Sequence, residues 1–385
     1  MTSSSAPIVV FGAGGVVGRR ICVELARDTP IVLAGRHAAP LSELARNLPT
    51  AGMHVADAGD PGALARAFAG AALVINAAGP LRATAAPVLE AAIAAGAHYV
   101  DIGGEQAVMH DIYVRHESAV RKAGLVALPG AGVDGLLGDL AGAWAAAQVV
   151  GETERLIDPP GSDDTDDLMR VHPAPRLAEA RPLDELAVSY VFDDLALSAG
   201  SQRALFSAIG SRVLIWRRDR WEPGPAGAHR RVNAGPAFGG ERDAQAYAGG
   251  DPLTIPRHIA AQHVASYFST TRRQATATAL RLLSRALPFV PPRASELLVP
   301  YAEPGADYGR TRFAVIAQAR RGFAAAQIVV GGSDLYRTTA VIAAWAARKI
   351  VGRGAGPLGM RAPGELFRAA PALHALARAA DLTVA

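Results

Sequence analysis

Residues 7–20 read PIVVFGAGGVVGRR, a strand-length apolar run that breaks at Gly12, Gly14, Gly15 and Gly18 before an amphipathic stretch begins. Strand, glycine turn and helix in that order make the opening of a βαβ unit, and the turn is shaped to admit either a tight bend or a phosphate. Up to residue 148 further apolar runs alternate with Ala-rich stretches, the pattern of a parallel sheet covered by helices on both faces. Strands are expected at Ile8–Phe11, Ile31–Ala34, Met53–Ala56, Leu73–Asn76, Tyr99–Ile102 and Val126–Leu128. The first helix places Val17, Ile21, Cys22 and Leu25 on one face, so the lone cysteine is expected in the core.

A chain of 385 residues suits two domains. The expected division is a Rossmann-type doubly wound parallel sheet over 1–148, completed by 333–385, and a second α+β domain over 149–332 with an antiparallel sheet. The hairpin signal in that second domain is RFAVIAQARRGFAAAQIVV, two apolar runs around a short polar turn. The stretch SDLYRTTAVIAAWAARKIVG reads as a helix apolar on nearly all sides, hence buried. The acidic cluster Asp163–Asp167 reads as solvated surface.

Net charge is +4 with arginines scattered along the chain, which gives nucleic-acid binding little support. A single cysteine excludes a disulfide framework and a cysteine-rich metal site, and no metal is expected. The start MTSSSAP lacks a signal peptide's basic and apolar regions, and apolar runs stay short of about 18 residues, so a cytoplasmic protein with no membrane span is expected. The short-chain reductase pair Tyr-x-x-x-Lys is missing after every one of the 8 tyrosines, as are HExxH and G-x-S-x-G.

Chemistry is expected at the carboxyl ends of the strands. Gly12, Gly15 and Gly18 complete a G-x-x-G-x-x-G spacing around Ala13, Gly14, Val16 and Val17, whose backbone suits a pyrophosphate. After the second strand stand Gly35, Arg36 and His37 with no acid nearby, which favours the 2′-phosphate of NADP(H) over a free ribose hydroxyl. Asp57 and Ala58 follow the third strand and suit the adenine; Asn76, Ala77, Ala78, Gly79 and Pro80 follow the fourth and suit the nicotinamide ribose. Tyr99, Asp101 and Asp134 are catalytic candidates for proton delivery; Glu105 reads equally as a helix cap.

The pieces GAGGVVG, LAGR, VINAAGP, HYVDIGGE and PGAGVDGLLGDL, covering about residues 8–140, resemble the saccharopine dehydrogenase-like oxidoreductases, including the trans-acting enoyl reductase branch. GMRAPGELF is similar to that family's closing segment. The resemblance implies NADP(H) binding, a substrate and dimerisation domain in the middle of the chain, and a possible homodimer. One departure is Gly135, Leu136, Leu137 and Gly138 between Asp134 and Asp139, where the family carries Ser or Val and Pro. The expected function is NADPH-dependent reduction of a polarised C=C in a small or lipid-like metabolite. Reduction of C=N, or a saccharopine-type amino-acid dehydrogenase, is the alternative, and a non-catalytic NADP sensor or scaffold is the reading of a different class.

Overall fold

A computed structural model of the chain describes residues 6–151, 168–170, 176–198, 200–202, 213–225, 227–270, 307–352 and 356–385. Asp163–Asp167 and the apolar stretch ATALRLLSRALPFV, 277–290, lie outside the described residues. Two compact units result: Met1–Gly103 with Val108–Gly132 and Tyr336–Arg361, and Gly104–Ala107 with Val133–Leu335 and Ala362–Ala385.

The first unit is built on a seven-stranded parallel sheet in the order β15-β6-β5-β4-β1-β2-β3. Its strands are β1 (Ile8–Phe11), β2 (Ile31–Gly35), β3 (Gly52–Val55), β4 (Leu73–Asn76), β5 (His98–Asp101), β6 (Val126–Leu128) and β15 (Gly359–Met360). The central strands are continuous apolar runs and buried along their whole length, as strands covered on both faces must be. Edge strand β3 is instead partly exposed at Met53 and Val55. The connecting helices include α1 (Val16–Leu25), α2 (Ala38–Asn47), α3 (Pro61–Phe68), α4 (Leu81–Ala94) and α5 (Gln106–Lys122). Cys22 is fully buried on α1 between Ile21 and Leu25, and burial pushes its thiol up to about 12. β15, which sequence periodicity does not reveal because it is two residues long, pairs parallel with β6 through Gly359 and Val126.

The second unit carries a nine-stranded sheet ordered β10-β11-β12-β7-β13-β14-β16, with β8 and β9 attached through β12; β10 is His229–Asn233, β11 Glu241–Ala246 and β16 Thr383–Val384. The sheet is antiparallel as expected except at one pair, which makes it mixed: β12 (His263–Ser269) runs parallel to β7 (Glu185–Asp193), while β13 (Arg312–Arg321) pairs antiparallel with β7 and β14 (Ala324–Ser333). Alternating apolar residues define a strand but not the direction of its neighbour. The predicted hairpin is present, turning at Gly322 with φ 60°. A shorter one, β8 (Leu214–Arg217) and β9 (Arg220–Pro223), turns through Arg218 and Asp219, both at positive φ as a type I′ turn requires.

Helix α6 (Gly138–Val150) packs along β13 and β14 and so belongs to the second unit, although sequence alternation assigns it to the first. The C-terminal segment divides as well: α7 (Leu335–Gly352) and β15 serve the first unit, while α8 (Ala369–Ala380) packs on α6, with Trp144 and His374 in edge contact at 5.2 Å. α7 is buried through Ala340–Ala344 as expected, and Arg348 near its end binds Asp28 at 2.9 Å and the Glu24 carbonyl. The opposite face of the second sheet buries Ala187, Val191, Ile215, Phe238, Ala314 and Ile316. Among the described residues no helix is long and apolar enough to cross a membrane.

Candidate functional site

Three of the four glycines at the junction of β1 and α1 are there for three different physical reasons. Gly12 has φ 87°, and a Cβ there would lie 2.6 Å from Ala78 N and 2.7 Å from the Ala77 carbonyl carbon. Gly18 lets α1 close against the turn, since its Cβ would lie 2.8 Å from the Gly12 carbonyl carbon and 3.0 Å from Ala13 Cα. Gly15 differs: it is exposed, has an ordinary φ of −77° and its Cβ would meet only the Gly12 oxygen at 3.2 Å. The chain barely needs a glycine at 15, whereas an anion approaching the N-terminus of α1 does. No side chain caps that helix and no acid stands in its first turn, so the first-turn N–H groups present positive potential. Gly15→Ala is expected to change unfolding free energy by less than about 1 kcal/mol while lowering NADPH affinity tenfold or more, read by chemical denaturation and fluorescence titration; unchanged affinity would make the turn only a turn.

Arg36 is exposed just past the end of β2 and makes no ion pair or hydrogen bond among the described residues. His37 beside it is the exposed N-cap residue of α2 and makes no side-chain cap bond. Asp57, past β3, accepts from Gly59 N at 2.8 Å and so forms its own turn, next to buried Ala58. Beyond β4 the loop is tied tightly: Ala77 N donates to the Phe11 carbonyl at 2.8 Å, Ala78 N to Asn76 Oδ1 at 3.1 Å, and Thr84 Oγ1 to the Ala78 carbonyl at 2.7 Å. Asn76 is wholly buried, so it shapes the loop from beneath, while Gly79 and Pro80 lie on its outer side. The turn after β1, Arg36, Asp57 and this loop all follow carboxyl ends of the first sheet's strands, where open α/β sheets bind ligands.

Tyr99 and Asp101 take a different place from the one expected. Both are 1 % exposed, and the Tyr99 hydroxyl donates to Asp101 Oδ2 at 3.0 Å. Asp101 Oδ1 accepts from Gly103 N at 3.1 Å and Gly130 N at 2.9 Å. Burial, then the Asp101 charge, pushes the Tyr99 hydroxyl well above its ordinary range. The pair clamps the ends of β5 and β6 together, a positioning geometry rather than that of an exposed proton donor.

Asp134 lies in the second unit on one turn of π-helix, Val133–Leu137, with φ −88° and ψ 44°. The departure from the family pattern has its explanation at Gly138, where a Cβ would meet the Tyr190 hydroxyl, Asp251 Oδ1 at 2.6 Å and Val188 Cγ1 at 3.0 Å. Asp139, the second acid of the motif, is fully buried and accepts from Gly364 N at 2.7 Å, with His258 Nε2 at 3.1 Å on its other oxygen. It anchors the start of α6. Asp134 accepts from the Tyr247 hydroxyl, and burial raises its carboxyl above the ordinary range. Tyr247, Asp251 and Tyr190 escaped sequence reading: they are isolated polar residues on separate elements, with only the glycine pair before Asp251 as a signal. Among the described residues no group of three His, Cys, Asp or Glu is placed to hold a metal.

Comparison with known proteins agrees with this geometry. Residues 8–128 match the family described as saccharopine dehydrogenase NADP binding domain. A Caenorhabditis elegans lipid droplet localized protein is 30% identical over 146 residues, which cover 34% of each chain. The saccharopine dehydrogenase-like oxidoreductase of Homo sapiens is 28% identical over 152 residues, 34% of this chain and 35% of that one. The matches thus span about a third of these relatives' length. Apo saccharopine dehydrogenase (L-Glu forming) from Saccharomyces cerevisiae shares the fold over 99% of both chains, with a TM-score of 0.62 at 15% identity. None of these named proteins is an enoyl reductase, so the expected enoyl reductase branch gains no support from them. Residues 8–128 are thus similar to the saccharopine dehydrogenase NADP binding domain, and about a third of the chain is similar to saccharopine dehydrogenase-like oxidoreductases.

Proposed function

We propose that the chain is an NADP(H)-dependent oxidoreductase acting on a carbon–nitrogen bond of an amino-acid-type substrate. The observation that carries the cofactor choice is Arg36, an exposed guanidinium at the carboxyl end of β2 that has no ion pair or hydrogen bond among the described residues. Gly15 and the first turn of α1 would hold the pyrophosphate, and the Ala77–Pro80 loop, fixed by Asn76 and Thr84, would receive the ribose next to the nicotinamide. NADPH, when bound, would supply the hydride for the carbon of C=N, and one proton would have to reach nitrogen to give CH–NH. The preference for C=N over C=C draws on the saccharopine dehydrogenase and its named relatives. It replaces enoyl reduction as the leading reading.

Arg36→Ala is expected to weaken NADPH binding about 10- to 100-fold, the worth of a charge-assisted phosphate contact of about 1.5–3 kcal/mol, while leaving NADH unchanged. Equal loss for both cofactors would remove the basis for NADP(H). Steady-state NADPH oxidation with parallel panels of imines and enoyl thioesters tests the rest. Turnover of imines alone supports the proposal, turnover of enoyl substrates alone overturns the C–N assignment, and tight NADPH binding without turnover favours a sensor.

A further inference from the structure

Gly14, the fourth glycine of the first turn, looks across to α2. A Cβ on Gly14 would lie 3.0 Å from Pro40 Cβ and 3.5 Å from Pro40 Cγ, so the turn and the start of α2 are in contact. The Gly14 carbonyl accepts from Arg19 Nε at 3.2 Å, and Arg19 Nη2 donates to Glu43 Oε2 on α2 at 3.0 Å. The Arg19 guanidinium therefore bridges the glycine turn and the helix that opens directly after Arg36 and His37. The end of β2 is tied to the same turn. Gly12 N and Ala13 N donate to the Ala34 carbonyl at 2.8 and 3.1 Å, and a Cβ on Gly35 would lie 3.8 Å from Gly12 Cα. Every one of these residues belongs to the first unit.

The side chains of Arg19 and Glu43 are 36% and 54% exposed, so both stand open to solvent and to a ligand. An exposed pair of this kind adds little to the hold on α2, which already buries Leu41 and Leu44. What the pair does is keep a cation against the turn, and the hydrogen bond and charge of Arg19 hold the Glu43 carboxyl below its ordinary range. Arg20, next in sequence, is engaged elsewhere, donating to the Val16 carbonyl of its own helix at 3.0 Å. A phosphate monoester carries about 1.5 to 2 negative charges at pH 7, and Arg36 answers one of them. A second guanidinium at the same strand ends completes the match.

We infer that Arg19 is a second arginine reading the 2′-phosphate of NADP(H), and that Glu43 both holds Arg19 in place and competes with the phosphate for it. The inference rests on the proposed NADP(H) reading, which sets the pyrophosphate at Gly15 and the first turn of α1 and the 2′-phosphate at Arg36. Arg19 keeps its Nε bond to Gly14 and turns its Nη2 donor from Glu43 to a phosphate oxygen. Glu43 is not stranded by that exchange, because it faces water and Arg46 on the same helix also acts on it. A cofactor with a free 2′-hydroxyl has no anion to offer Arg19 and leaves the bridge to Glu43 closed. Glu43 therefore works against NADP(H) and is indifferent to NAD(H).

Fluorescence titration of the full chain with NADPH and with NADH measures the ratio of the two affinities. Arg19→Ala is expected to weaken NADPH about 5- to 10-fold and to leave NADH unchanged, a smaller loss than at Arg36 because Arg19 is shared with Glu43. Glu43→Gln is expected to act in the opposite direction, strengthening NADPH about two- to fivefold with NADH unchanged. A bridge that only fastened α2 to the turn would instead weaken both cofactors, or neither, when Glu43 is changed. An unchanged ratio in Arg19→Ala, or NADPH bound no more tightly by Glu43→Gln, overturns the inference. Glu43→Gln alters only the charge of an exposed side chain, so it decides the matter should Arg19→Ala disturb the turn. A wild type that binds NADH as tightly as NADPH defeats the NADP(H) reading itself. A preference for NADPH that Arg36→Ala abolishes and Arg19→Ala leaves intact keeps that reading and rejects the role of Arg19.

Discussion

Gly12→Ala is expected to destabilise the chain by about 3–5 kcal/mol, the sum of a left-handed backbone forced on a residue with a Cβ and of overpacking against neighbouring backbone. The atoms that the new methyl would strike, Ala78 N and Cα at 2.6 and 2.8 Å and the Ala77 carbonyl carbon at 2.7 Å, cannot move aside as a side-chain end could. They belong to a loop held by Ala77 N on the Phe11 carbonyl and by Thr84 Oγ1 on the Ala78 carbonyl. Against a total stability of about 5–15 kcal/mol, such a loss is a large fraction. Urea denaturation checks it, and a wild-type midpoint would mean that the loop after β4 yields. Set beside Gly15→Ala, the pair separates fold from ligand: one glycine serves mainly the chain, the other mainly what the chain holds.

The second large effect is a pH dependence. Asp251 is raised from 3.8 to about 7 in the folded chain, first by burial, with Asp139 and Asp134 adding to it and the Ser266 and Tyr190 bonds opposing. Between those values the folded chain keeps a proton that the unfolded chain has released. Folding then takes up a proton, and this group's contribution falls as pH rises from about 4 to about 7. Above that range both states are ionised and the full cost is present, about 4 kcal/mol. Asp251→Asn removes the titration, so its stability relative to wild type should improve by a few kcal/mol between pH 4 and pH 8. Urea unfolding of both proteins across that range measures it, and parallel stability profiles would show that Asp251 does not titrate there.

Much of the first unit was legible because its strands are apolar on both faces and end in glycine turns, which leaves a strong local signature. Arg36 was legible for the same reason, since its place is fixed by counting from a strand end. The role of Tyr99 was not, because a strand pattern says that the side chain is buried but not that Asp101 will meet its hydroxyl. The second unit hid more. The direction of β12 beside β7 depends on a pairing across more than 70 residues, and Tyr190 looks like one more core aromatic in ELAVSYVF until Ser266 and Asp251 arrive from elsewhere in the chain. Helix α6 was misassigned because its apolar residues run around the whole cylinder and its pattern names no partner.

β15 carries a consequence for the order in which the protein can be made. The last strand of the seven is residues 359–360, and it joins β6 at 126–128. During synthesis the flank of β6 therefore remains an open row of N–H and C=O groups until the second unit's long segment, Val133–Leu335, has left the ribosome. Open flanks of this kind recruit other strands. A chain cut short before α7 would carry the complete glycine turn and Arg36 yet present that flank permanently. Its fate would be decided by self-association before its nucleotide site could matter.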